Sequence, residues 1–423
     1  MLYDQTKPFT DEEFRSPGKE YRGAPFWAWN GALDREELLR QVGCFREMGF
    51  GGFHMHVRSG LTTPYMSGEF LDLVEACADE AEKRDMLAWL YDEDRWPSGF
   101  AGGLVTRDHP EYRRRWLVLS AASVPGRAYD VGRYDVSLHA DGTLASYRLL
   151  SGGEAATGDE WFAQVLVEQP SPRFNNAAYL DTLNPRAVEC FVACTYEAYR
   201  KRLGDRFGGS VPAIFTDEPQ FAKIAPLPYS LSRTDARVVW TDDLPATYAA
   251  AYPGEDLVAC LPELFWNLPD DRPSVIRYHF HDHVCERFVA AYSDTIGNWC
   301  REAGILFTGH LYEEPTLKSQ SATVGEAMRF YRSMTLPGID MLCGYHELTT
   351  AKQTQSAVRQ YGRCGMLSEL YGVLGWDLDF RGHKHHGDWQ AAMGVTVRVP
   401  HLSLYTMKGE AKRDYPQTIQ YQS

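Results

Sequence analysis

A short apolar run followed by an amphipathic helix recurs along this 423-residue sequence, and this repeat constrains the fold more than any other feature. Most repeats have about the length of a β-strand plus a helix, and two longer gaps leave room for insertions. The strand-like runs begin near Ala24, Gly51, Met86, Val211, Ile305, Ile339, Cys364 and Val397. Eight strands that alternate with helices favour a closed parallel sheet. We therefore predict an α/β fold of the (β/α)8 TIM barrel type.

Two insertions interrupt the predicted barrel. Residues 117–183 alternate apolar and polar side chains around an Asp141-Gly142 turn, which predicts a small inserted β subdomain. The first part of the barrel, with strands one to three, then covers 1–116, and strands four to eight lie in 184–423. A second insertion, at about 221–298, begins as a proline-rich loop and ends as a long helix, which is typical of a lid over a barrel mouth.

Composition excludes several classes of function. A formal net charge of -14 disfavours a nucleic-acid partner, because phosphate binding needs clustered lysine and arginine. No apolar run approaches the roughly 20 residues that span a bilayer, so no membrane partner is expected. The first residues lack the basic and apolar regions of a secretory signal, and the nine cysteines form no CxxC pair. We expect a cytoplasmic protein with reduced thiols; its oligomeric state is left open.

The ends of the predicted strands carry the polar and aromatic side chains from which a site can be built. In such barrels the active site lies at the carboxyl ends of the strands. Flat aromatic faces, Trp376 among them, combined with hydrogen-bonding groups are typical of a sugar site, so the expected partner is a carbohydrate substrate. The residues predicted to bind substrate are Trp29, Asn30, His56, Arg58, Asp92, Trp96, His310, Tyr312 and His346.

Two glutamates are the predicted catalytic pair. Glycosidic cleavage needs two carboxyl groups on opposite sides of the bond, and Glu218 and Glu369 end the fourth and seventh predicted strands, across the ring from each other. The apolar strand before Glu218 favours a raised pKa for its carboxyl, so Glu218 is the predicted general acid and Glu369 the general base. Glu313 and Glu347 remain alternatives to Glu369. The pattern does not decide between inversion and retention, which depends on the distance between the carboxyls.

Five stretches carry a resemblance to a known family. They are Pro25-Phe26-Trp27-Ala28-Trp29-Asn30-Gly31, Gly51-Gly52-Phe53-His54-Met55-His56-Val57-Arg58-Ser59-Gly60-Leu61, Tyr91-Asp92-Glu93-Asp94-Arg95-Trp96-Pro97-Ser98-Gly99, Phe215-Thr216-Asp217-Glu218-Pro219 and Lys412-Arg413-Asp414-Tyr415-Pro416. The sequence resembles glycoside hydrolase family 106, the α-L-rhamnosidase family, and its relatives. The resemblance implies a barrel hydrolase with two glutamates, inversion of configuration and α-L-rhamnoside-like substrates. By position, Glu218 and Glu369 match the acid and base of the family. The chemistry itself requires no cofactor, and calcium is implied only by the resemblance, without assigned ligands.

Two other functions stay open from the sequence. A metal-dependent hydrolase of the amidohydrolase type would use His54 and His56, two apart on one strand face, with His310 and His346 at later strand ends. The histidine pair lies on the second strand-like run rather than the first, and the last strand ends in His401 rather than an aspartate, so this fit is incomplete. The third possibility is a non-catalytic barrel that binds carbohydrate on the same aromatic side chains.

Overall fold

The computed structural model describes residues 8–375 and 377–411, so the Lys412–Pro416 motif and Trp376 lie outside the described residues. Its strands are β1 (Phe26–Trp29), β2 (Gly52–Val57), β3 (Leu87–Tyr91), β4 (Arg115–Ser120), β5 (Tyr129–Leu138), β6 (Leu144–Leu149), β7 (Asp159–Val167), β8 (Ala213–Asp217), β9 (Ala236–Trp240), β10 (Leu306–His310), β11 (Leu336–Met341), β12 (Leu367–Leu370), β13 (Val397–Pro400) and β14 (Ser403–Leu404). They form one parallel and one antiparallel sheet.

The parallel sheet curls round until its two ends meet. Its strand order is β13-β12-β11-β10-β8-β3-β2-β1-β14. The strands at the two ends of this order, β13 and β14, are separated in the sequence only by His401 and Leu402. Chain positions 397–404 therefore pair with β12 on one side and β1 on the other. This barrel-like parallel sheet confirms the predicted α/β class, and its strands begin close to the predicted runs.

Helices follow the strands and cover the outside of the sheet. They are α1 (Asp11–Arg15), α2 (Arg35–Glu47), α3 (Gly68–Lys83), α4 (Leu104–Asp108), α5 (Pro185–Cys194), α6 (Tyr196–Leu203), α7 (Leu244–Ala251), α8 (Val275–Phe288), α9 (Thr295–Ala303), α10 (Leu317–Thr323), α11 (Ala327–Phe330), α12 (Leu348–Gln360) and α13 (Phe380–Met393). Helix α2 shows why they form: Asp34 caps its first turn and Leu38, Val42 and Phe45 make a buried stripe. Within the described ranges, no helix is both long and apolar enough to cross a bilayer.

Strand β2 shows how the sheet separates its two faces. Phe53, Met55 and Val57 belong to the large hydrophobic core between the sheet and the helices. His54 and His56 alternate with them and lie inside the sheet, where the His56 ring stacks on Phe26 with centroids 4.4 Å apart. The predicted division of this strand into an outer apolar face and an inner histidine face is therefore confirmed, because successive strand residues point to opposite sides.

The antiparallel sheet draws its strands from both insertions. Its order is β6-β5-β7-β4-β9, so four strands come from residues 115–167 and the edge strand β9 comes from the predicted lid-like insertion. Strand β9 pairs with β4 along its whole length. The packing of Trp161 against Trp266, with ring centroids 5.1 Å apart, also joins the two insertions. The sequence treats them as separate units, because pairing between distant strands leaves no local pattern.

Candidate active site

A cavity of about 540 Å³ opens at the carboxyl ends of the parallel strands. Its lining consists of Arg58, Ser59, Arg95, Trp96, Arg173, Phe174, Asp217, Glu218, Asp340, Leu342, Glu369, Val373 and His401. The side chains come from the ends of six barrel strands and from one turn of the β-rich insertion, so residues far apart in the sequence share one space. None of them lies in 221–298, and the predicted lid role of that segment stays a prediction.

Four carboxyl groups form the floor of this cavity. Asp217 ends β8 and Glu218 follows it directly, Asp340 lies in β11 and Glu369 in β12. His310, at the end of β10, stands between them: its Nε2 is 2.7 Å from a Glu369 oxygen and 3.6 Å from an Asp217 oxygen. Parallel pairing aligns these groups, because His310 is in register with Asp217 and Asp340 with Glu369.

A glycine before His310 makes this close approach of strands possible. Gly309 has a φ of +135°, and a Cβ at this position would lie 1.9 Å from the carbonyl oxygen of Thr216 in the neighbouring strand. Any other residue would push β10 away from β8. His310 would then lose its position between the carboxylates on either side.

Glu218 lies on the cavity because the backbone turns sharply at the end of β8. Consecutive residues of a strand point to opposite faces, yet Asp217 and Glu218 both line the cavity. The φ of +49° at Glu218 is a left-handed conformation that redirects its side chain. Trp96 donates its indole N–H to the Glu218 carboxylate. Burial and the charges of Asp217 and Asp340 raise the pKa of Glu218 well above its usual range.

Glu369 and His310 behave as one hydrogen-bonded pair. Burial and the charge of Asp340 raise the pKa of Glu369 to about 8, against a lowering contribution from His310. Burial disfavours the charged form of His310, but its bond to Glu369 and the charge of Asp217 outweigh this and raise its pKa well above the usual range. The pKa of both Glu369 and His310 is therefore raised, and the surrounding negative charge favours a proton on this pair. A second histidine, His401, lies 3.8 Å from the other Glu369 oxygen.

A layer of buried side chains supports the floor from below. Tyr91 donates its hydroxyl to Asp217 at 2.6 Å. Ser98 donates to Asp92 at 2.5 Å and accepts the backbone N–H of Asp217 at 2.8 Å. Tyr196 donates to the other oxygen of Asp92 at 2.7 Å. Asp92 therefore acts on the cavity through Ser98 rather than by touching it.

Glu93 fixes the loop that carries Trp96 over the cavity. Its carboxylate accepts backbone N–H groups from Asp94 at 2.7 Å, Gly99 at 2.8 Å, Ala101 at 2.7 Å and Gly102 at 3.0 Å. The group is fully buried. Both carboxylate oxygens of Glu93 therefore accept hydrogen bonds, and these bonds hold residues 94–102 in one conformation.

We expect Glu93→Gln to destabilise the protein and to lower kcat. The amide has one oxygen, so its NH₂ group would face backbone N–H donors and leave them unsatisfied, at a cost of about 2 kcal/mol or more. Urea unfolding of the full chain measures this loss, with the exposed Glu189→Gln as control. An unfolding free energy within about 0.5 kcal/mol of wild type would contradict this role for Glu93.

The cavity brings together part of the predicted site. Arg58, Trp96, Glu218 and Glu369 line it, and the buried His310 contacts Glu369 from behind. Tyr312 lies in an adjoining cavity of about 270 Å³, together with Glu313 and Glu347. Glu313 pairs there with Lys223 at 3.3 Å, and Glu347 accepts a hydrogen bond from Thr350. The two alternatives to Glu369 thus lie outside the central cavity, although Glu218 and Asp340 line both cavities.

Five residues predicted to bind substrate lie elsewhere. Trp29 faces the helices and packs on Phe70, because Phe26 and Ala28 occupy the inner face of β1. Asn30 binds the backbone carbonyls of Thr406 and Ala411. His56 lies in the aromatic layer below the floor, and Asp92 supports Ser98. His346 is exposed and stacks on Trp389 with centroids 4.6 Å apart.

Several residues of the cavity were not predicted. Asp217 and His401 belong to strand ends that the sequence identifies, but a strand end alone does not tell which of two neighbours faces the cavity. Asp340 was missed because β11 begins at Leu336 rather than Ile339, so the strand ends at Met341 and not near residue 344. Pro337 and Gly338 hide the start of this strand. Arg173 comes from the β-rich insertion, and only the three-dimensional fold brings it here.

Two groups of side chains could hold a metal ion. They are Asp217, His310 and Glu369, and Glu218, His310 and Asp340, with the ligand atoms of each group within 4.8 Å of one another. The carboxylates fit a hard divalent cation such as calcium, whereas the imidazole of His310 does not. Among the described residues, His54 and His56 belong to neither group. His54 instead bonds the Ala24 carbonyl at 2.9 Å and stacks on Trp89, so the geometry does not favour the amidohydrolase arrangement.

Solved structures are similar to this chain, and one of them matches it over almost its whole length. It is a rhamnosidase from Novosphingobium sp. PP1Y, with a TM-score of 0.67 and 14% sequence identity. The similarity covers 95% of this chain and 57% of that chain. At this identity it shows a shared fold. The chain matches no protein-family model and no curated protein.

Proposed function

We propose that this protein is a glycoside hydrolase that acts in the central cavity. The observation that carries the proposal is the pair of glutamates, Glu218 directly after β8 and Glu369 on β12, which line one cavity at the mouth of a barrel-like sheet. Two carboxyl groups in one site are what glycosidic cleavage requires. The fold shared with a rhamnosidase and the resemblance to the α-L-rhamnosidase family support the same conclusion and suggest an α-L-rhamnoside-like substrate.

In the proposed reaction, Glu218 is the general acid. Its raised pKa favours the protonated carboxyl, and the proton passes to the glycosidic oxygen as the bond to the anomeric carbon breaks. Glu369 is the general base, taking a proton from the water whose oxygen bonds to that carbon. This is the inverting route, which the resemblance implies.

His310 and Trp96 position these two groups. The charge of His310, 2.7 Å from Glu369, favours the ionised carboxylate that a base needs. The indole N–H of Trp96 orients the Glu218 carboxyl, and its ring, 38% exposed, offers an apolar face to a sugar. Neither side chain transfers a proton in the proposed reaction.

A panel of aryl glycosides that includes the α-L-rhamnoside tests the proposal. Wild type, Glu218→Gln and Glu369→Gln are each assayed with EDTA, with calcium and with zinc. If the wild type cleaves one of the glycosides and both substitutions greatly reduce the rate of that cleavage, the result supports the two-glutamate mechanism. Hydrolysis that survives both substitutions and depends on zinc would favour the metal-dependent alternative, and binding of sugar without cleavage would favour a non-catalytic carbohydrate-binding barrel.

We also propose a calcium site on the cavity floor. Each of the two candidate groups contains one aspartate without a part in proton transfer, Asp217 in the first and Asp340 in the second, and these two carboxylates would hold the ion. When bound, calcium would supply positive charge that orients sugar hydroxyls. Burial raises the pKa of Asp340, and the negative charge of Asp217 raises it further, so a cation would relieve the repulsion between these two carboxylates.

Calcium is therefore expected to raise the melting temperature of the protein. A ligand at a free concentration of 100 times its Kd stabilises the folded protein that binds it by about 2.7 kcal/mol. Differential scanning fluorimetry with EDTA and with calcium measures the shift, and Asp340→Asn should remove most of it. As control, Asp388→Asn removes an exposed carboxylate that pairs only with Lys384 in the described chain. An equal calcium shift in wild type and Asp340→Asn would contradict this site.

A further inference from the structure

The central cavity has a basic wall as well as an acidic floor. Arg58, Arg95 and Arg173 line it from three separate segments: after β2, in the loop after β3, and in the turn Pro172–Phe174 after β7. The chain as a whole carries a formal charge of -14. Three guanidinium groups that converge on one cavity therefore depart from the overall charge of the protein and need an explanation of their own.

Neutralisation of the floor does not account for Arg95 and Arg173. Arg95 pairs with Asp94 at 3.1 Å, and Asp94 is not a lining residue of the cavity. Arg173 is exposed and, in residues 8–375 and 377–411, makes no ion pair. Its guanidinium carbon instead lies 5.4 Å from the centre of the Phe174 ring. A cationic group thus faces the cavity from the β-rich insertion without a described carboxylate of its own.

Aromatic rings accompany the arginines and make the wall continuous. Arg95 is followed by Trp96 and Arg173 by Phe174, and all four line the cavity. The ring of Phe174 stacks on Phe100 of the same loop as Trp96, with centroids 4.4 Å apart. Aromatic faces bind the C–H side of a sugar ring, and a guanidinium fork binds a carboxylate or sulfate through two hydrogen bonds. Together they suit a sugar that carries an anionic group.

The position of the wall relative to Glu218 indicates which part of the substrate it would contact. Trp96 bonds Glu218, the proposed acid, which protonates the leaving oxygen. We infer that the substrate carries an anionic group on its leaving-group side, either the carboxylate of a uronic acid or the sulfate ester of a sugar, bound by Arg95 and Arg173. The assignment to the leaving-group side rests on the proposed function, whereas the preference for an anionic sugar rests on the wall itself.

Direct binding tests the inference without any turnover. Isothermal titration calorimetry of the full chain compares D-galacturonic acid, D-galactose 6-sulfate, neutral D-galactose and sodium sulfate. We expect one of the two anionic sugars to bind about tenfold more tightly than galactose, and the tighter one identifies the anionic group. Arg95→Gln and Arg173→Gln should each remove most of that preference and weaken the binding of galactose far less than that of the anionic sugar. The exposed Arg186→Gln is the matched control.

Each result either supports or overturns the inference. Equal binding of galactose and both anionic sugars to wild type overturns it, as does unchanged binding in both arginine variants. If sodium sulfate binds as tightly as the anionic sugars, the wall recognises an anion alone, and the claim that it binds a sugar is overturned. Melting temperatures check that each variant folds, and the wild-type comparison needs no variant. A preference for anionic sugars without cleavage of any glycoside would overturn the proposed function alone, and cleavage without that preference would overturn this inference alone.

Discussion

Replacing Glu218 with glutamine is expected to lower kcat/KM for a glycoside with a poor leaving group by between about 10² and 10⁴-fold, the usual range for loss of general acid catalysis. A methyl glycoside should show the full loss. A 4-nitrophenyl glycoside should lose less, because its leaving group needs little protonation. Glu313→Gln, which alters a carboxylate of the adjoining cavity, is the matched control and should stay near wild type. Equal losses for the two leaving groups would contradict the acid role.

The pH dependence gives an independent check on Glu218. The acid must be protonated, so kcat/KM falls as pH rises through its raised pKa, and this limb should lie far above the usual range of a glutamate. The N–H of Trp96 lowers that pKa, since it stabilises the carboxylate. Trp96→Phe removes the donor and should move the alkaline limb to higher pH. A limb that does not move, or moves down, would contradict the contact between these two residues.

Replacing Glu369 with glutamine is expected to lower kcat by a similar factor, about 10² to 10⁴-fold, for every leaving group. The base acts on water rather than on the leaving group, so its loss does not depend on how good that group is. This pattern separates Glu369 from Glu218 in the same assay. Glu347→Gln is the control, because Glu347 lies in the adjoining cavity. If Glu369→Gln lowers kcat only for glycosides with poor leaving groups, Glu369 would be the general acid and the two roles would have to be exchanged.

His310 should shift the acid limb through Glu369. The base must be ionised, so kcat/KM rises with pH toward the pKa of Glu369, which is raised to about 8. His310 lowers that pKa by its charge and hydrogen bond. His310→Gln removes the charge and should therefore move the acid limb to higher pH, besides reducing kcat. A reduced kcat with an unmoved limb would make His310 only a packing residue.

The sequence predicts the barrel-like sheet and the position of the two glutamates at strand ends for one physical reason. Strand periodicity locates the end of each strand, and the carboxyl ends of parallel strands meet at one edge of a sheet. Glu218 and Glu369 follow from their positions in that pattern. The assignment of Trp29 failed because the inner and outer faces of β1 depend on a shift of a single residue. His56 was correctly placed inside the sheet, but its depth below the cavity floor is not encoded in the alternation.

The rest of the site depends on contacts between distant segments. Asp340 lies on a strand that contains Pro337 and Gly338, and both residues weaken a strand pattern. Gly338 is needed there because a Cβ would lie 2.5 Å from the carbonyl oxygen of Gly309. Arg173 belongs to a turn that reaches the cavity only after the antiparallel sheet has formed. Local patterns carry no information about such a contact, so a single sequence could not predict it.

The most direct test of the two-glutamate cavity is a crystal structure of Glu218→Gln soaked with the glycoside that the wild type cleaves. We predict an intact glycoside in the central cavity, with its glycosidic oxygen within hydrogen-bond distance of the residue 218 side chain. Glu369 should face the anomeric carbon from the other side, with space for a water between them. A glycoside bound among Glu313 and Glu347, away from Glu369, or with its glycosidic bond turned away from both residues, would contradict the two-glutamate mechanism.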